Sequence, residues 1–167
     1  MGDINTFWQS NAIACSCSFD APPTCVHNAF ATQNGPGYIY YDPSLLNTFA
    51  AQSGSLLPPA YVLAHEFGHD IQFEYGLSSP VSILNELGAD CYSGYFIGNL
   101  ICQNRTNQND IQQTIMQTCS GGDAVGTPWW NPSAHGSCQQ RVTAVLRGIA
   151  ANQAGIPPNT VCGAYTP

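Results

Sequence analysis

Two histidines four residues apart, with a glutamate directly after the first, make up the element His65-Glu66-Phe67-Gly68-His69. That spacing restricts the local fold more than any other feature of the chain. The two imidazoles can meet only if the segment is α-helical, where positions i and i+4 lie one above the other on the same face. The flanks agree. Pro58-Pro59 can open a helix, since a proline in the first turn gives up an N–H that has no partner there, and Gly76 can end one after Tyr75. Chance explains the element poorly: with four His and three Glu in 167 residues, it is expected in roughly two of a thousand such chains. On a helix both imidazoles reach one cation, and Glu66 projects beside them toward any water the cation holds, an arrangement that suits zinc.

A catalytic zinc takes three protein ligands and leaves its fourth position to water. The third is expected from Asn85-Glu86-Leu87-Gly88-Ala89-Asp90, where Glu86 and Asp90 are again four apart. Two of the three glutamates of the whole chain thus fall in two short elements, and Glu74 belongs to no such pattern. Glu86 is placed as the third ligand. Asp90 is placed as the acceptor of a histidine ring N–H, which fixes the tautomer and orientation of a ligand. The competing reading, a solvated acidic face, fits poorly with a segment otherwise apolar or small, because buried carboxylates require partners.

Composition removes other function classes. Charged residues make up 8% of the chain, there is no lysine, and the only fixed positive charges are Arg105, Arg141 and Arg147. A net charge of −7 repels phosphate backbones and acidic membranes, so nucleic acid is not expected as a partner. No apolar run approaches the ~20 residues of a membrane span. Eight cysteines, an even number, exceed ordinary cytosolic usage, and no C-x-x-C pair occurs; Cys15-x-Cys17 is the closest spacing. Disulfides in an oxidising compartment are therefore expected rather than a thiolate metal site, with connectivity left open. The start Met-Gly-Asp has no basic-then-apolar leader, so any secretion signal is expected to have been removed. Gly2 and Thr6 fit a lipidation pattern that we read as coincidence. Asn104-Arg105-Thr106 is a glycosylation sequon, relevant only in a glycosylating host.

The chain reads as one domain, 1–167, in which 1–30 is a Cys-rich N-terminal extension. A short helix over 3–9 precedes a Cys/Pro loop over 15–25 that holds Cys25 and, just after it, His27, read as structural. Gly35-Pro36-Gly37 is a turn, and Tyr38-Ile39-Tyr40-Tyr41 is the best strand. Helices are expected over about 44–52, from Pro58 or Pro59 to Tyr75, from a Ser82 cap to about Cys102, over about 107–118 and over about 137–154. Ile83, Leu84, Leu87, Cys91 and Tyr95 give the third of these an apolar stripe. A Gly/Pro-rich loop over 119–136 carries Trp129, Trp130 and His135, and Cys162 fastens the tail. The sum is a mainly helical α+β domain with a small sheet, stapled by disulfides. Trp129 and Trp130 are candidates for a cleft wall or for plain core, and Arg141 for satisfying a carboxylate or carbonyl.

These residues resemble those of the gluzincin metallopeptidases, in which an H-E-x-x-H helix is followed by a helix with E-x-x-x-D. A closer resemblance is to the neutral zinc metallopeptidase family of bacteria and some fungi. It is carried by Val62-Leu63-Ala64-His65-Glu66-Phe67-Gly68-His69, by Glu86-Leu87-Gly88-Ala89-Asp90-Cys91-Tyr92 with Gly94, and by His135-Gly136-Ser137 with Gln140-Arg141, over residues 37–150. Asp70 stands where a second His is common and Gly88 where Gln is usual. The resemblance implies a zincin-like fold, zinc on His65, His69 and Glu86, support of the first histidine by Asp90, and His135 near the zinc as an electrophilic donor; a local structural role for His135 is the alternative. By analogy of fold, the Tyr38–Tyr41 strand is the sheet edge to which an extended substrate adds. The expected function is secreted, zinc-dependent hydrolysis of peptide bonds by a monomer, with Glu66 as general base and a peptide or protein as substrate. A zinc amidase or cell-wall hydrolase, and a non-catalytic disulfide-rich zinc-binding module, remain as alternatives.

Overall fold

A computed structural model describes residues 11–14, 28–32 and 38–166. The expected helix over 3–9, the loop over 15–25, the Gly35–Gly37 turn, His27, Cys15, Cys17 and Cys25 lie outside the described residues. Three four-residue strands, β1 (Asn11–Ala14), β2 (Ala29–Thr32) and β3 (Tyr38–Tyr41), form a sheet in the order β1-β3-β2. Five helices follow: α1 (Pro43–Ser53), α2 (Leu57–Glu74), α3 (Ser82–Cys102), α4 (Gln108–Ser120) and α5 (Cys138–Gln153), then a π-helical turn over Asn159–Gly163. The chain is thus mainly helical with a small sheet.

The strand expected at Tyr38–Tyr41 is present but is not an edge. β3 pairs with β1 in parallel and with β2 antiparallel, so its main chain is committed on both sides and cannot take a further strand. The edges of the sheet are β1 and β2, and on β2 Ala31 directs its N–H to Glu66. Neither β1 nor β2 was expected, because Asn-Ala-Ile-Ala and Ala-Phe-Ala-Thr carry little strand propensity. Ile39, fully buried on β3, joins Leu57, Leu63, Phe67 and Phe96 in the main core between sheet and helices.

Helix ends follow local chemistry. Asp42 caps α1 by accepting from the Ser44 N–H (2.8 Å) and hydroxyl (3.0 Å), and Gly54 closes it in the left-handed region at φ 64°. Capping boxes open α4 (Asn107 with Asp110) and α5 (Ser137 with Gln140). The expected Ser82 cap is not formed: Val81 holds the cap position, and Ser82 is the first helical residue. The turn into α3 is held instead by the Asn85 side chain, which accepts from the Ser79 N–H (2.6 Å) and donates to the Ser79 carbonyl (2.8 Å).

Helix α3 is the centre of the domain and is buried on more than one stripe, from Leu87 through Gly94 without interruption. It packs between α2 and α5. Small residues set both crossings. A Cβ on Gly68 would come within 2.7 Å of the Ala89 Cα, and one on Gly94 would fall on the Val145 carbonyl. From the other side, a Cβ on Gly148 would fall on the carbonyl of Cys91. Among the described residues two disulfides form, Cys91–Cys162 across 71 residues, which ties the tail to α3, and Cys119–Cys138 across 19, which joins the end of α4 to the start of α5. Among the described residues Cys102 is unpaired and exposed. Trp129 and Trp130 are neither core nor cleft wall: they stand 60% and 69% exposed, ring centroids 5.8 Å apart and perpendicular.

The α3–α5 approach gives a direct test. Gly148→Ala adds one methyl against the Cys91 main chain, and overpacking of this kind costs about 1–3 kcal/mol. A lower urea midpoint at unchanged m-value is expected, and an unchanged midpoint would show that the helices are not so close.

Candidate metal centre

Helix α2 presents His65 and His69 on one face, and α3, crossing at Gly68 and Ala89, presents Glu86 opposite them. The metal-facing atoms converge. His65 Nε2 and His69 Nε2 are 3.1 Å apart, and Glu86 places its oxygens 3.3 Å from the first and 3.4 Å from the second. Tetrahedral ligands bound at the usual zinc–nitrogen and zinc–oxygen lengths stand about 3.3 Å from one another. The three side chains therefore have the spacing of three corners around a cation, and this group could hold a metal ion.

The supporting atoms are equally specific. His65 Nδ1 lies 2.9 Å from Asp90 Oδ1, the partnership expected from the sequence. Asp90 is fully buried and accepts also from the Tyr61 hydroxyl (2.6 Å) and from Arg141, whose Nε donates to Oδ2 (2.8 Å) and Nη2 to Oδ1 (2.9 Å). The partner of Arg141 is thus the carboxylate that also meets His65. Burial alone would raise the pKa of Asp90, but hydrogen bonds from His65 and the charge of Arg141 outweigh it and hold the carboxyl below its ordinary range. Burial and the neighbouring Asp90 push the Tyr61 phenol well above its ordinary range, so it stays protonated as a donor. His69 Nδ1 faces Gln72 Oε1 at 3.0 Å. Gln72 was missed from sequence, although it lies one helical turn after His69.

Glu66 stands apart from the ligand set, as the sequence led us to expect. Its Oε2 accepts the Ala31 N–H of strand β2 at 3.0 Å. Burial raises its pKa, opposed in part by His65 and His69. Glu86 is driven the other way: burial would raise it, but hydrogen bonds and charge from the two histidines carry it far below the ordinary carboxylate range. A cavity of about 560 Å³ opens over both groups and is lined also by Ala29, Phe30 and Ala31 of β2 and by His135. His135 is held through its main chain, its own N–H and that of Gly136 both donating to Asp123 Oδ2 (2.9 and 2.8 Å), and its Nδ1 lies 3.6 Å from Asp123 Oδ1. Asp123 was not singled out in the sequence, where nothing connects it with position 135. Trp129 and Trp130 do not line the cavity.

The chain matches no protein-family model, no curated protein and no solved structure.

Without a metal, burial works against a charged His65, but hydrogen bonds to Asp90 and Glu86 prevail and raise its pKa to about 10. Below that pH an arriving divalent ion must displace the proton. Zinc affinity should therefore rise with pH, about tenfold per unit between roughly pH 6 and pH 9, since one proton leaves for each ion bound. Dissociation constants from competition with a chelator at several pH values check this. A flat profile would mean that His65 is not the residue displaced.

Proposed function

We propose that this chain is a secreted zinc metallopeptidase of gluzincin type, with a zincin-like fold, resembling the neutral zinc metallopeptidases. The observation that carries the reading is the separation of two carboxylates at one centre. Glu86 is low in pKa and faces both imidazoles, and Glu66 is raised and faces the open cavity. Environments that drive neighbouring acids apart in this way divide ligand from acid–base catalyst.

His65, His69 and Glu86 would hold the zinc, which when bound supplies Lewis acidity toward a carbonyl and makes a water acidic near neutral pH. Glu66 takes the proton from the attacking water and delivers it to the departing amine, work that suits a carboxylate whose pKa has been raised toward the working pH. The Ala31 N–H fixes the Glu66 carboxylate through one oxygen, leaving the other for the water. An extended peptide lies along the outer edge of β2, where it can pair with the main chain on either side of that contact. His135, which also lines the cavity, donates to the oxyanion as the carbonyl is attacked, its main chain pinned by Asp123 so that only the ring need move. Two disulfides support an extracellular location, and among the described residues no helix is long and apolar enough to cross a membrane.

Zinc content and casein hydrolysis on the same preparation test the assignments. Glu66→Gln should keep about one zinc per chain and lose turnover by at least ~100-fold, because the proton transfer alone is removed. Glu86→Ala should lose the metal. Loss of zinc from Glu66→Gln with full activity in Glu86→Ala would reverse the roles of the two acids.

His135→Ala should lower kcat by roughly 100-fold with zinc content and KM little changed, the signature of an interaction made only in the transition state. Normal kcat with a lowered melting temperature would make His135 a scaffold residue.

A further inference from the structure

Gln72 is buried to 1% exposure, and its amide makes two directed contacts. Nε2 donates to the main-chain carbonyl of Asn85 at 2.9 Å, and Oε1 faces His69 Nδ1 at 3.0 Å. The first contact fixes the second. A carbonyl oxygen only accepts, so the amide nitrogen must be the atom beside Asn85, and the amide oxygen must be the atom beside His69. An oxygen that only accepts requires a hydrogen on His69 Nδ1. In a neutral imidazole, the form that binds a cation, that leaves Nε2 with its lone pair, 3.1 Å from His65 Nε2; a hydrogen bond from Nε2 to Glu86 belongs to the doubly protonated ring.

A second observation bears on the same amide. Gly88, on the face of α3 opposite Gln72, lies so near that a Cβ there would fall on Gln72 Nε2, and it would also come within 3.0 Å of the Cys162 carbonyl. The absence of a side chain at 88 is what gives the amide its place between α2, α3 and the disulfide-held tail.

We propose that Gln72 is a positioning residue for the metal centre, setting the Nδ1–H tautomer of His69 through a relay from the Asn85 carbonyl, with Gly88 as its clearance. The relay joins the two ligand-bearing helices next to Glu86, so the proton on His69 and the spacing of α2 from α3 are governed by one side chain. The inference rests on reading His65, His69 and Glu86 as a metal centre, and it is independent of whether that centre cleaves peptides.

The test reads the tautomer directly. Long-range 15N–1H spectra of the full, disulfide-intact chain, stripped of metal by a chelator, should show His69 with a protonated-type Nδ1 and a lone-pair-type Nε2. The reverse pattern in the wild-type chain overturns the inference whatever the variants do. Gln72→Met, which keeps the volume and loses both contacts, should abolish the preference and weaken zinc binding by about 10- to 100-fold, the usual cost of removing a partner of a metal-bound histidine. Gln72→Glu, which keeps an acceptor for Nδ1 and loses the donor to Asn85, should regain most of that affinity. A residue acting only as a helix cross-link predicts the opposite, with Gln72→Glu as impaired as Gln72→Met, and that outcome also overturns the inference. Failure of the wild-type chain to bind zinc while His69 shows the expected tautomer would refute the metal reading and leave the placement of the proton intact.

Discussion

The fold of this protein is organised around a buried carboxylate. Asp90, at the middle of α3, has no access to water and is satisfied from two other helices: Tyr61 and His65 on α2 and Arg141 on α5. Arg141 in turn donates to the Gly121 carbonyl at the end of α4, so four helices meet through two side chains. Burying a charge is costly unless its partners are complete, and removing one partner from such a pair typically costs about 3–5 kcal/mol. The same carboxylate meets His65, so any assembly error that unpairs it also disturbs the group formed by His65, His69 and Glu86. Formation of the fold and formation of the site are in this respect one event.

Two of the three arginines are engaged within the fold. Arg141 is almost fully buried, and Arg147 donates to the Thr166 carbonyl at 2.7 Å while its guanidinium lies 4.9 Å over the Tyr165 ring. Small residues do comparable work where α2, α3 and α5 approach, since Gly68, Gly94 and Gly148 remove side chains from the two crossings that set the distance between the His-bearing helix, the Glu-bearing helix and Arg141. Cys91–Cys162 then ties the tail to α3.

The parts of the site legible in sequence were those written in side-chain identity at helical spacing. His65, Glu66 and His69 fall within five residues of one helix and Glu86 and Asp90 lie four apart on the next, and a helix converts such intervals into geometry without further information. The parts that were not legible belong to the main chain or to long-range pairing. The Ala31 N–H that holds Glu66 has no residue signature, since every non-proline residue carries one. Strand β2 is made a strand by its pairing with β3 and not by its own composition, and for the same reason β3, the most strand-like segment, is the central strand and not the edge. Arg141 lies 51 residues from Asp90, too far for any local pattern to join them. Gln72 was within reach of a pattern, one turn beyond His69, but a glutamine on a helix is ordinary until its two contacts are seen.

The two glutamates at the centre show how a fold assigns different chemistry to the same functional group. Both are withdrawn from water, which by itself would raise both pKa values. Glu86 lies in direct contact with both ring nitrogens, so its negative charge is matched at short range and the carboxylate is kept ionised through any physiological pH. Glu66 lies next in sequence to His65 but points to β2, where one main-chain N–H offers much less compensation than two imidazoles, and the negative charge of Glu86 opposes its ionisation further. One residue along α2 turns a side chain by about 100°, and that rotation is what separates Glu66 from the ligand face. The helical period therefore selects which carboxylate can anchor a cation, and burial raises the pKa of the other, which the single N–H of β2 offsets only in part.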